Sequence, residues 1–125
     1  MKHALLVALG GALGALARYG VATVALKRFG PGFPVGTLVI NVTGCALIGF
    51  FLAAVGGRWS GIHQGWSYLV PIGFVGAYTT FSTYEYELAR LMEAGAWTRL
   101  AAYFVLSNAV GFAAVVGGMW LGRRA

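Results

Sequence analysis

Four long apolar stretches alternate with three short, turn-rich connections along the 125 residues. The stretches cover about residues 4–26, 35–55, 66–92 and 97–121. Each has the roughly 20 mostly apolar residues that a helix needs to cross a bilayer. The first connection, Lys27-Arg28-Phe29-Gly30-Pro31-Gly32-Phe33-Pro34, is a turn by its glycines and prolines. The second covers residues 56–65 and the third surrounds Glu93-Ala94-Gly95. Trp59, Trp66, Trp97 and Trp120 all fall near the expected helix ends, where amphipathic rings prefer the membrane interface. The pattern predicts an all-α membrane protein: one domain over residues 1–125, four transmembrane helices and no soluble part. Lys2 before an apolar run imitates a secretory signal, but the run continues into Arg18-Tyr19 without a convincing cleavage site. The first helix is therefore expected to be retained.

The third stretch departs from the others. It reads Pro71-Ile72-Gly73-Phe74-Val75-Gly76-Ala77-Tyr78-Thr79-Thr80-Phe81-Ser82-Thr83-Tyr84-Glu85, with glycines and hydroxyls crowded into its middle. Non-helical backbone at membrane depth survives only where protein buries it or where it lines a polar cavity. The composition predicts a third helix broken between residues 76 and 82. Freed carbonyls there suit a cation and freed N–H groups an anion.

Composition sharpens this picture. Hydrophobic residues make up 59% of the chain and charged residues 10%, too few charges to clothe a soluble domain. Twenty glycines are spread through the apolar stretches, where small residues let helix backbones approach closely. The single cysteine, Cys45, has no partner in the chain and reads as a small buried hydrophobe. The net charge of +6 is scattered and forms no stripe for nucleic acid. Lys2, Arg58, Arg123 and Arg124 fall on one side of a four-helix arrangement, and Lys27, Arg28, Arg90 and Arg99 on the other. Four against four removes the bias that normally orients a membrane protein. That balance favours copies inserted both ways up, paired as an antiparallel dual-topology homodimer.

Few residues can carry chemistry. Arg18 is the ionisable residue deep in the first helix, and an intramembrane charge is a functional candidate by default; it is expected to face a watery vestibule. Asn41 offers a two-donor amide, with Thr37 one helical turn before it on the same face. Tyr103, Ser107 and Gly111 repeat that spacing on the fourth helix. Such rows suggest a hydrated track, or hydrogen bonds between helices. The three acids, Glu85, Glu87 and Glu93, lie late in or beyond the third stretch. His3 and His63 stand at the N-terminus and in a loop, no cluster has zinc spacing, and no nucleophile–base pair suggests an enzyme. Neutral donors, hydroxyls and rings suit an anion pathway.

Three blocks in order, Gly10-Gly11-Ala12-Leu13-Gly14-Ala15-Leu16-Ala17-Arg18-Tyr19, Gly36-Thr37-Leu38-Val39-Ile40-Asn41-Val42-Thr43-Gly44 and residues 73–85, resemble the Fluc (CrcB) family of fluoride channels. The resemblance covers nearly the whole chain. It implies an antiparallel dual-topology homodimer in the bacterial plasma or inner membrane, with two pores exporting fluoride passively. It also implies a structural Na+ at the dimer centre on backbone carbonyls, at positions matching Gly76 and Thr79. The family's pore asparagine matches Asn41, its two facing phenylalanines match Phe81 and Tyr84, and its hydroxyl track matches Thr37, Tyr103 and Ser107, with Thr80 close by. Tyr84 stands where phenylalanine is commoner; its ring edge is expected to do the work and its hydroxyl to be dispensable. Gly111 falls where a track hydroxyl is sometimes found. A small multidrug exporter, also four helices, would need a glutamate in its first helix, where this chain has Arg18. A structural subunit of a larger membrane complex is the remaining alternative.

Overall fold

The computed structural model describes residues 1–61 and 64–125; His63 lies outside them. Helix α1 spans Lys2–Phe29. It ends where Gly30 turns to φ 73° and returns its N–H to the Leu26 carbonyl at 2.9 Å, a conformation that glycine adopts without a Cβ penalty. Lys27 and Arg28 sit in its last turn, where cations complement the helix dipole. Pro34 precedes α2, Val35–Val55. Residues 65–78 form α3, which is α-helical at Gly65–Ser67, wound as a π-helix over Tyr68–Val75 and α-helical again at Gly76–Tyr78. Pro71 lies inside the π-wound part; a proline cannot donate to the preceding turn, and local rewinding accommodates it. Helix α4 spans Phe81–Glu93 and α5 spans Trp97–Gly122. Between α4 and α5, Gly95 at φ 65° and the Ala96 N–H bonded to Leu91 O at 2.9 Å close a Schellman turn.

Among the described residues three helices, α1, α2 and α5, are long and apolar enough to cross a membrane. The third apolar stretch instead divides into α3 and α4, with Thr79 (φ −79°, ψ 158°) and Thr80 (φ −150°, ψ 111°) extended between them. The described residues form helices and turns, without strands.

Glycines set the distances between helices. A Cβ on Gly73 of α3 would stand 2.8 Å from the Val7 carbonyl and 3.0 Å from Gly10 Cα of α1. A Cβ on Gly118 of α5 would meet Phe50 N of α2 at 2.9 Å. Backbone touches backbone at both seams, so each glycine is required by its neighbour. The outside is apolar: Leu5, Leu9, Leu13 and Leu16 of α1 and Phe104, Phe112 and Val116 of α5 are exposed. The inside holds Thr37 and Thr80.

Contacts between the ends fix their pairing. His3 stacks on Tyr68 at 4.1 Å, and Arg58 Nη1 donates to the Arg124 carbonyl at 3.3 Å. The N-terminus, the second connection and the C-terminus therefore share one end. Arg99 Nη1 donates to the Gly32 carbonyl at 3.2 Å, which brings the first and third connections together at the other. The two groups of four basic residues sit at these opposite ends.

Candidate functional site

The site is built around the extended pair Thr79–Thr80. Asn41 of α2 faces it with its whole amide. Nδ2 donates to the Thr80 carbonyl at 3.1 Å and Oδ1 accepts from the Thr80 N–H at 2.9 Å. Because one partner only accepts and the other only donates, the orientation of the amide follows. Asn41 completes backbone bonds that a continuous helix would have made itself, as buried peptide groups require. Thr80 then caps α4, accepting from Thr83 N at 3.3 Å while its hydroxyl donates to Thr83 Oγ1 at 2.9 Å. A β-region threonine in front of a helix is a favoured N-cap.

These bonds leave particular carbonyls without their helical donors. The residue four after Gly76 is Thr80, whose N–H goes to Asn41. The residue four after Thr79 is Thr83, whose N–H goes to Thr80 Oγ1. Thr79 itself bonds backward, with its N–H at 3.0 Å and its Oγ1 at 2.9 Å from Val75 O.

Two cavities lie along α2 and α4. The inner one, about 300 Å³, is lined by Asn41, Thr79, Thr80, Phe81, Tyr84 and Ser107, with Cys45 and Asn108 beside them. Ser107 Oγ is buried there without a hydrogen-bond partner among the described residues. The Phe81 and Tyr84 rings are 6.0 Å apart and tilted by 45°. They differ sharply in exposure: Phe81 is 73% exposed and Tyr84 6%. Asn108 Nδ2 donates to Tyr84 Oη at 2.9 Å.

The outer cavity, about 510 Å³, opens where the first and third connections meet and is lined by Thr37, Glu87, Arg90 and Arg99 among others. At its floor Thr37 Oγ1 donates to Glu87 Oε1 at 2.9 Å and the Tyr103 hydroxyl donates to Glu87 Oε2 at 2.7 Å. Tyr103 is fully buried and meets Tyr84 edge-on at 5.2 Å. Tyr84 lines the cavity of about 300 Å³, so this ring contact joins that cavity's wall to the Glu87 cluster.

Most of the residues singled out from the sequence converge here: Thr37, Asn41, Thr80, Phe81, Tyr84, Tyr103 and Ser107, with Thr79 at the inner cavity. Gly76 is exposed on α3, one turn before the clasp. Arg18 lies half-buried on α1 and lines neither cavity. Gly111 is buried, and a Cβ there would touch Cys45 Sγ at 3.7 Å. Three features differ from the sequence reading. Asn41 is not a free amide, because Thr80 engages both of its heteroatoms. Glu87, set aside with the acids at the end of the third stretch, sits inside the hydroxyl track. Asn108 holds the tyrosine.

A family profile described as "CrcB-like protein, Camphor Resistance (CrcB)" matches residues 5–119. A protein of Acidobacterium capsulatum named "Fluoride-specific ion channel FluC" is 49% identical over 124 residues, covering 99% of this chain and 98% of its own. A protein of the same name from Solibacter usitatus is 44% identical over 125 residues, covering 99% and 100%. One from Vibrio cholerae is 39% identical over 116 residues, covering 92% and 91%.

Proposed function

Because the chain belongs to the CrcB-like family, we propose that it is a fluoride-selective channel, through which fluoride leaves the cytoplasm passively. It is a multi-pass protein of a bacterial membrane. The observation that carries the channel reading is the Thr37–Glu87–Tyr103 cluster. Two buried hydroxyls from different helices donate to two oxygens of one anionic group, at 2.9 and 2.7 Å. The carboxylate oxygens stand in for a small anion, and the donors around them are neutral. Fluoride holds its water tightly, so a pore has to replace that water with donors. A fixed positive charge would hold the ion too long; conduction needs binding that is favourable yet weak. Hydroxyls, an amide and the positive edges of aromatic rings meet that requirement. Passage then requires the Glu87 carboxylate to yield its two donors to the ion.

The working unit in this reading is an antiparallel dual-topology homodimer, with the third apolar stretch crossing as a broken helix. Supporting it are the equal basic counts at the two ends and the Phe81 ring, a large apolar group that lines the cavity of about 300 Å³ and is left exposed by the protomer. A Na+ ion at the dimer centre belongs to the same reading. The residues fit it: the Gly76 and Thr79 carbonyls lack their helical donors, and two from each protomer give four neutral oxygens, suited to a hard monovalent cation. These carbonyls would hold Na+ there, and the ion would supply a positive field near the proposed anion path and tie the two breaks together. Arg18 is read as a vestibule residue that attracts anions. Purified protein in liposomes tests the function: fluoride efflux should be fast and chloride efflux at the protein-free rate. Equal rates for the two anions, or no fluoride flux, would rule the reading out.

A further inference from the structure

The hydrogens of Asn108 and Tyr84 can be assigned from their neighbours. Asn108 Nδ2 lies 2.8 Å from the Phe104 carbonyl and 2.9 Å from Tyr84 Oη. A carbonyl oxygen only accepts, so the atom beside it is the amide NH₂ and not the amide oxygen. One hydrogen goes to Phe104, and the other goes to Tyr84. Tyr84 Oη is therefore the acceptor in this bond. Its own hydrogen is directed away from Asn108, and no other partner takes it among the described residues. The residue is 6% exposed and lines the cavity of about 300 Å³. Ser107 lines the same cavity, and its Oγ is buried without a partner among the described residues. Asn41 lines it too, and its Nδ2 uses one hydrogen on Thr80 and keeps a second.

We propose that the Tyr84 hydroxyl is a direct hydrogen-bond donor to the conducted anion, and that Asn108 is the residue that positions it. The inference rests on the fluoride-channel reading and adds to it a working group that the sequence reading treated as dispensable. A ring edge offers weakly polarised C–H groups, whereas a phenol offers an O–H, a far stronger donor to a small hard anion. By accepting from Asn108, the oxygen becomes a better donor through its own hydrogen, since bonds in a chain polarise one another. Asn108 also stops the hydroxyl from turning its hydrogen toward the amide, because the amide presents only N–H groups to it.

The competing account is that the Asn108–Tyr84 bond merely joins α5 to α4. Two single substitutions separate the accounts. Tyr84→Phe removes both the bond and the phenol hydrogen. Asn108→Ala removes the bond but leaves the hydrogen. If the bond is only a link between helices, both variants lose the same thing and should lose flux equally. If the hydroxyl donates to the ion, Tyr84→Phe should reduce fluoride efflux by about tenfold or more, the scale of a hydrogen bond to a charged group, and Asn108→Ala by no more than about threefold. Half-saturating fluoride should rise in Tyr84→Phe. The measurement is fluoride efflux from liposomes carrying equal amounts of each gel-filtered protein, at several fluoride concentrations. Tyr84→Phe within twofold of the unmodified protein, or equal losses in the two variants, overturns the inference and leaves the channel reading standing. No fluoride flux from the unmodified protein removes both.

Discussion

Asn41→Asp tests the centre of the site, because it keeps the side chain's size and alters its hydrogens. In the unmodified protein Nδ2 meets the Thr80 carbonyl at 3.1 Å and Oδ1 meets the Thr80 N–H at 2.9 Å. A carboxylate retains the second bond and loses the first, setting two acceptors face to face. Leaving a buried carbonyl without its donor costs about 1–3 kcal/mol. The new charge also opposes the passing ion: two like charges about 4 Å apart at an effective dielectric near 20 repel by about 4 kcal/mol. Allowing half of that for screening by water leaves about 2 kcal/mol, or roughly a thirtyfold loss of ion occupancy, and the unscreened figure is nearer a thousandfold. Fluoride efflux from liposomes, followed with a fluoride electrode, should therefore fall by at least about thirtyfold. Asn41→Leu separates the two effects. It adds no charge, yet it leaves both Thr80 backbone groups unpaired, so it should lower the yield of assembled protein on gel filtration as well as the flux. Should Asn41→Asp assemble normally and conduct within threefold of the unmodified protein, Asn41 neither meets the ion nor needs its donor to hold the break.

Reporter tags at the C-terminus, one active on each side of the membrane, should both give signal, because the basic residues divide four and four between the ends; a signal from one side alone excludes dual topology. Glu87→Gln should lower half-saturating fluoride severalfold, since Thr37 and Tyr103 would no longer be held by an anion; a rise would mean that the carboxylate assists the ion instead of competing with it. Gly118→Val should destabilise the protein by about 1–3 kcal/mol or more, read as a lower unfolding temperature in detergent, because its Cβ meets backbone that cannot move aside. Gly76→Ala should leave the protomer intact, with only Pro71 O at 3.8 Å from the new Cβ, so any loss of dimer in that variant reports the partner's approach. Exchanging sodium for a large organic cation should weaken the dimer on gel filtration; an unchanged dimer, with density at its centre at water-like hydrogen-bond distances, argues against a structural ion.

The apolar pattern conveys the long helices well. Residues 35–55 are read as α2 and are found as Val35–Val55; α1, Lys2–Phe29, outruns the expected 4–26 at both ends, and α5, Trp97–Gly122, outruns 97–121 by its last residue. Apolar length and glycine content are local properties, and a helix in lipid has little else to depend on. The π-winding over Tyr68–Val75 is not legible in the same way. Pro71 signals a disturbance, but its resolution as rewinding depends on α1 lying against Gly73 at backbone distance. Gly76 illustrates the opposite hazard. Its place before the break suggests a glycine chosen for backbone freedom, yet it sits at φ −60°, ordinary helix. Within the protomer a Cβ there meets only Pro71 O at 3.8 Å, so its smallness leaves room for an approach from outside.

The site was legible as residue types and illegible as hydrogens. A sequence shows how many donors Asn41, Asn108 or Tyr84 possess, but which of them are already engaged depends on partners 24 to 39 residues away. Asn41 reads as an open two-donor amide and proves to have one hydrogen left over. Asn108 reads as an unassigned polar residue and proves to have none. Glu87 was hidden for another reason. By charge it is one of three acids late in or beyond the third stretch, whereas its spacing carries the better signal. Thr80, Tyr84 and Glu87 fall at i, i+4 and i+7 from the cap of α4, one face of a helix. The first two are pathway candidates by the family resemblance, and that stripe continues onto the third. On α5 the stripe of Tyr103 and Ser107 runs beside it. A carboxylate at the end of a row of hydroxyls is where a buried anion would find donors, so periodicity, followed one more turn, leads to the group that engages Thr37 and Tyr103.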